Sequence, residues 1–289
     1  MSLSYVNLPL YVGRANDAGS GTAPSEQMTM LPATQASVQY AAATAPNRRL
    51  GQPIDQTDQF KIGGPLSATL SFQTLLCNDV PYTETGYSFL SGQSGDYFPV
   101  QIGSGVFNKC YLQDYTVVIN PYTPVTVDVT FVSLDPATEQ QVSGDPNPYS
   151  NPFNVDPPFD GDEIVYGHTC TVQNMTEVVG NVQSSITHTR SFKRTPVYTL
   201  GSINATDMLL NGIETETTIA STGLENLINF SGDTTTNDVS VALDTAKGES
   251  IRFFTGIVIA EGAEVHTESF NIQGGDTLQT SATLREILL

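Results

Sequence analysis

Long apolar runs, histidine, cysteine and positive charge are all scarce in this chain, and each shortage removes a class of function. No stretch approaches the roughly 18 consecutive apolar residues that a membrane-spanning helix needs. Even so, 39% of the 289 residues are hydrophobic, enough for a core. The opening MSLSYVNLPLYVGRANDAGSG has no basic start followed by a long apolar segment, so no secretory signal and no membrane partner are expected. The three cysteines, Cys77, Cys110 and Cys170, are odd in number and widely separated. That pattern favours free thiols in a reducing compartment over a disulfide framework. Eleven basic residues stand against thirty acidic ones, a net charge of −19. Gripping a phosphate backbone requires clustered Lys and Arg, so specific DNA binding is not expected. Repelling DNA remains open.

The signatures of chemistry are missing as well. The three histidines, His168, His188 and His266, fall in no Gly-x-Ser-x-Gly or Cys/His arrangement that would activate a nucleophile. They read as ordinary strand residues. His168-Thr-Cys170 puts two ligand types on one face of a strand, but no second pair stands at zinc spacing. The acid-rich DPPFDGDE, residues 156 to 163, misses the spacing of a calcium-binding loop. The glycines of IGSG, residues 102 to 105, precede strand-like residues, so no helix terminus is available to hold a phosphate. No catalytic residue, metal or cofactor is therefore expected, and the chain does not read as an enzyme.

What is abundant is period-2 alternation in Val, Thr, Ile, Tyr and Phe, punctuated by Gly and Pro. It recurs in PLSATLSFQTLL (65 to 76), DYTVVI (114 to 119), VTVDVTFV (125 to 132), GIETETTIAS (212 to 221) and EVHTESFNI (264 to 272). The one helical spacing is in STGLENLINFSG, residues 221 to 232, and it is short. An all-β fold with at most one short helix in each half follows. Residues 16 to 33 are polar and rich in Gly and Pro, and predict an extended loop. Between about Asp135 and Glu163 the density of Pro, Gly, Asn and Asp breaks any regular structure. The expected organisation is a first domain over 1 to 145, a linker over 146 to 163 and a second domain over 164 to 289.

The halves repeat one order of elements. FPVQIGSGVFNKCYLQDYTVVI (98 to 119) lies on IRFFTGIVIAEGAEVHTESFNI (251 to 272) without a gap, 153 residues apart. A hairpin follows in both, pairing Val125 with Leu278, Val127 with Thr280, Val129 with Ala282 and Phe131 with Leu284. Upstream, SVQY…RRLG (37 to 51) resembles SITH…VYTLG (185 to 201), with Leu50-Gly51 on Leu200-Gly201 at a distance of 150, and GGPLSATLSF (63 to 72) resembles LNGIETETTI (210 to 219), with Leu66 on Ile213. Tandem duplication of one β domain of about 130 residues accounts for this order. A basic cluster repeats too: Arg48 and Arg49 in one half, Arg190, Lys193 and Arg194 in the other. These cations either form salt bridges within each domain or meet acidic faces on neighbouring subunits.

The segment SSITHTRSFKRTPVYTLGSINATDMLLNG (184 to 212), followed by RFFTGIVIAEGAEVHTESFNIQGGDTLQTSATLREIL (252 to 288), resembles the tail-tube proteins of tailed bacteriophages. The shared pattern is a strand leading into an Arg/Lys-rich segment and Y-x-L-G, an NG turn into a strand, an aromatic-plus-Gly strand, and a Gly-Asp turn into a last strand ending TLREI. The first half carries a degenerate version that ends VTFVSL. The resemblance implies two tandem β-sandwich or barrel domains in a structural virion protein, made in the host bacterial cytoplasm and placed in the tail. Such copies associate side by side into rings that stack into a DNA-conducting tube. Three chains would give a pseudo-sixfold ring, and six chains a ring of twelve domains. Partners would be other copies of the chain and tail proteins such as sheath, tail terminator or baseplate, with DNA passing through unbound. Glu214 and Glu216, on the polar face of a strand, become candidates to face the channel; their first-half counterparts, Ser67 and Thr69, are uncharged. A baseplate or neck ring with the same fold is the nearest alternative. A monomeric β-sandwich binding module, with NPYSNPF (147 to 153) as its exposed aromatics, is the alternative of another class.

Overall fold

Fifteen strands and no α-helix make up the described residues of the computed structural model. Those residues are 10–13, 29–46, 60–77, 88–91, 97–103, 105–134, 138–139, 164–173, 183–200, 202, 204–222, 239–244, 250–255, 267–272 and 278–288; from residue 250 onward the description is of the backbone. The linker expected over 146 to 163 and most of the helix candidate lie outside them. Ser221 and Thr222, which open that candidate, are strand.

In chain order the strands are β1 (Leu10–Val12), β2 (Thr29–Leu31), β3 (Ala33–Pro46), β4 (Phe60–Leu75), β5 (Tyr97–Ile102), β6 (Gly105–Ile119), β7 (Thr126–Ser133) and β8 (Thr138–Glu139). The second half supplies β9 (Cys170–Gln173), β10 (Gln183–Val197), β11 (Asp207–Thr222), β12 (Val239–Asp244), β13 (Ser250–Thr255), β14 (Thr267–Ile272) and β15 (Leu278–Leu288). Where an extended loop was expected over 16 to 33, Thr29–Leu31 is instead a strand paired with β1, and Leu31 is buried. All pairings are antiparallel, and twelve strands form one sheet that curls into a half-barrel. The other three, β9, β12 and β13, form a small second sheet.

Alternation puts the core on one face of the large sheet. Along β7 the odd residues Val127, Val129, Phe131 and Ser133 are buried, and the even ones are half-exposed. Leu70 and Phe72 of β4, Tyr115, Val117 and Ile119 of β6, and Ile186 and Phe192 of β10 continue that face. Val241 and Leu243 of the small sheet pack into the same cluster, so one core serves both halves. Phe131 lies at an aromatic centre, with ring centroids 6.0 Å from Phe72, 5.6 Å from Phe89 and 5.8 Å from Phe98.

The β6–β7 hairpin turns at Asn120–Thr123, where Tyr122 holds a φ of 62°. That left-handed conformation favours glycine, and the position 153 further along the chain is Gly275. Residues 164 to 167 tie the second half to the first: Val165 donates to Leu76 O at 2.8 Å, and Val125 donates to Val165 O at 2.9 Å. Gly167 is required at this crossing, because an added Cβ would lie 2.0 Å from Asn120 O, inside any permitted contact.

Candidate functional site: a polar sheet face and an internal seam

The two halves have the same pairing order. In the first half the ladder runs β3, β4, β7, β6; in the second it runs β10, β11, β15, β14. The registers correspond as well. Moving the β6–β7 pair Val117↔Val127 along by 153 gives Phe270↔Thr280, an observed β14–β15 pair. In the β4–β7 ladder Leu70 faces Phe131, and in the β11–β15 ladder Thr217 faces Leu284, so β4 maps on β11 at a distance of 147. That distance puts Leu66 on Ile213. The pair Val38↔Leu70 then corresponds to His188↔Thr217, so β3 maps on β10 at 150. Even an irregularity is shared. One residue is skipped between Ala33 and Gln35 in β3, and one between Gln183 and Ser185 in β10. The distance of 150 is that at which Leu50-Gly51 matches Leu200-Gly201 in the sequence; only the start of the match, SVQY on SITH, is two residues off, since Ser37 corresponds to Thr187 and not Ser185.

The two four-stranded units are joined edge to edge. The last strand of the first unit, β6, pairs with the first strand of the second, β10, from Ile119↔Ile186 to Asp114↔Ser191. Strand β6 makes this possible by changing neighbours. Its early residues pair with β5, while residues 114 to 119 leave β5 and receive β10 on the edge opposite β7. On the core face of this seam, Tyr115 and His188 rings lie 5.9 Å apart, and His188 Nδ1 shares a 2.8 Å hydrogen bond with Thr217 Oγ1. On the other face the hydroxyls of Thr116 and Thr189 meet at 3.0 Å.

Over the middle of β3, β4, β7, β6, β10 and β11 the face away from the core is polar, while at one end Tyr111 and Val132 pack there with Leu134 and Ala205 in a second apolar cluster. The polar part presents Gln35, Ser37 and Gln39 of β3, Ser71 and Gln73 of β4, Asp128 and Thr130 of β7, and Asp114 and Thr116 of β6. Thr187, Thr189, Ser191, Glu214, Glu216 and Thr218 continue it in β10 and β11. A groove of about 270 Å³ opens on this face beside β3, lined by Gln35, Ser37, Ser71, Asp128 and Thr130 among others. Such a surface offers hydroxyls and carboxylates with little positive charge. It can be wetted without holding an anion.

The candidate residues separate into distinct environments. Glu214 and Glu216 stand on the polar face, Glu214 half-exposed in its side chain and Glu216 opposite Arg285 in the ladder. Lys193, read as an inter-subunit candidate, pairs with Glu214 at 3.0 Å within the chain. Because both partners are exposed, Lys193→Met should change the unfolding free energy by less than about 1 kcal/mol in urea titrations. Arg190 and Arg194 sit 5.5 and 5.6 Å over the Phe192 ring, and Arg194 Nε donates to Leu112 O at 3.0 Å. Arg194 also lies 5.5 Å over Tyr111, whose hydroxyl donates to Asp207 at 2.8 Å. Burial, followed by that contact with Asp207, pushes the Tyr111 hydroxyl well above its ordinary pKa. Arg194 thus joins β10 to β6 through Leu112 and Tyr111, and Arg190 does so through the Tyr115 side chain. Alternating sequence alone could not show this, since nothing in it places β10 beside β6. Arg48 and Arg49 lie outside the described residues.

His168 belongs to a single 3-10 turn, Gly167–Thr169, and Cys170 begins β9, so the two are not on one strand face as expected. Among the described residues no group of three His, Cys, Asp or Glu is gathered as a metal site. No helix among them is long and apolar enough to cross a membrane. No protein-family model matches the chain, and no curated protein matches it in sequence.

Proposed function

We propose that the chain is a structural virion protein, a duplicated tail-tube subunit that self-associates into rings through which phage DNA passes. The observation that carries this reading is the seam between β6 and β10. Two units of equal strand order lie side by side and share one continuous sheet. A unit able to extend a sheet by accepting a copy of itself is the element a β-walled ring is made of. The polar, acid-bearing face suits a channel wall. DNA slides past carboxylates and hydroxyls by repulsion and hydration, whereas a basic wall would hold it.

Native mass spectrometry across a concentration series tests the reading. The expected result is a discrete species of three or six chains of 31.0 kDa. A chain that stays monomeric at every concentration, with and without the tail-initiation complex of its virus, would transfer the assignment to a monomeric binding module.

A further inference from the structure

We infer that β14 of one chain adds to β3 of the next, antiparallel and in a defined register: Phe270 opposite Val38, Ser269 opposite Gln39 and Glu268 opposite Tyr40. This rests on the self-association proposed above and names its contact. Among the described residues β3 pairs only with β4, and β14 only with β15. They are the outer strands of the eight-stranded path, and they correspond to β10 and β6, the two strands that meet in the internal seam. The seam therefore supplies the template. Its pair Val117↔His188 becomes Phe270↔Val38 when β6 is moved to β14 by 153 and β10 to β3 by 150. Thr116↔Thr189 likewise becomes Ser269↔Gln39, and Tyr115↔Arg190 becomes Glu268↔Tyr40.

Burial points to the same partner. At the seam Ile186 and His188 are 3% and 2% exposed. Their counterparts on β3 are Ala36, which is exposed, and Val38, which is only half-buried; Tyr40 beside them is 64% exposed. Strand β3 also carries no charge from Ala33 to Pro46. Exposed edge strands ordinarily bear charge or proline to block pairing, and the one proline here ends the strand. An uncharged 14-residue edge with an exposed tyrosine is suited to receive a strand.

The geometry permits closure. The row straight across the first unit runs Ala36, Phe72, Val129, Tyr115 and reaches the second unit at Arg190. The counterpart of Ala36 in the second unit is Ile186, so the row has advanced four residues over four strands. One residue of stagger per strand is the ratio found in eight-stranded barrels of shear eight, whose strands tilt about 36°. Units repeated in this register wind a sheet at a tilt that closes, and the ring size follows from how many are used.

Two single-cysteine substitutions mixed as separate chains test the contact. Gln39→Cys with Ser269→Cys, and Tyr40→Cys with Glu268→Cys, are neighbouring pairs, so one of them occupies the closer, non-hydrogen-bonded position. Under mild oxidation at least one pair should give a covalent dimer whose linked peptides are identified by mass. The displaced pair Ser37→Cys with Ser269→Cys should not. Rings that form with only the displaced pair linked, or with none, would overturn the inference and leave self-association standing. Absence of any assembly in the unsubstituted protein would remove both. Hydrogen exchange on the unsubstituted protein gives a reading free of substitutions. Amides of residues 36 to 41 and 267 to 272 should slow about tenfold or more on assembly, and protection confined to other strands would overturn the inference.

Discussion

Phe131→Ala is expected to lower the free energy of unfolding by about 3–5 kcal/mol, the range for truncating a fully enclosed aromatic. Phe131 is 0% exposed, and its ring contacts those of Phe72, Phe89 and Phe98 together. These come from β4, a 3-10 turn at Ser88–Ser91 and β5, so removing the ring loosens three elements at once. The neighbours cannot close the space easily, because Phe72 and Phe98 are anchored in strands. Phe131→Leu should lose less, about 1–2 kcal/mol, since most of the volume remains. Urea titration followed by fluorescence or circular dichroism measures both. A midpoint shift with an unchanged slope would mark lost packing, whereas a loss under about 1 kcal/mol for the alanine variant would show that the aromatic cluster is not where the core is held.

Acidification should weaken the fold between about pH 6.5 and pH 4, with His188 as the cause. Its ring is buried at the seam, and burial first, then the Arg190 cation, bring its pKa from 6.5 down to about 4. Thr217 holds Nδ1, and the Tyr115 ring flanks it. The unfolded chain takes up the proton near pH 6.5, while the folded chain resists until about pH 4. The stability associated with neutral His188 is therefore complete above the unfolded value and is lost as pH falls through this window. Two to three pKa units correspond to roughly 3 kcal/mol. Carboxylates act with other signs and windows: burial raises the pKa of Asp114, which opposes the loss on acidification, and the hydrogen bond from Tyr111 lowers that of Asp207, whose stability is lost only below the usual carboxylate range. The comparison must accordingly be between variants. His188→Gln can keep a hydrogen bond to Thr217, and it should flatten the difference in unfolding free energy between pH 7 and pH 4.5. An identical pH dependence in the two proteins would exclude His188 as its source.

The repeat was legible because burial imposes period 2 on every strand that borders the core. Val125, Val127, Val129 and Phe131 show it, and their distance of 153 from the last hairpin is the distance at which the two hairpin ladders correspond. Matching inward faces also chose the register of Leu66 on Ile213. The same periodicity explains the slip of SVQY against SITH: moving a strand by two residues returns every side chain to its own face. The skipped residues at Thr34 and Ser184 then locate the true register. What alternation could not reveal is which strands meet across long sequence distances. The seam of β6 with β10, and with it the fastening work of Arg190 and Arg194, depends on that pairing. Strands β5 and β13 show the limit from the other side. Their spans correspond residue for residue at 153, yet β5 pairs with β1 and β6, while β13 pairs with β12.

Electron microscopy of the purified chain tests the central claim most directly, because it shows whether edge-to-edge sheet units close around a hole. The expected image is a ring with a central channel, its wall divided into six or twelve equal units according to whether three or six chains take part. Compact particles without a channel, at concentrations where self-association has occurred, would contradict the account.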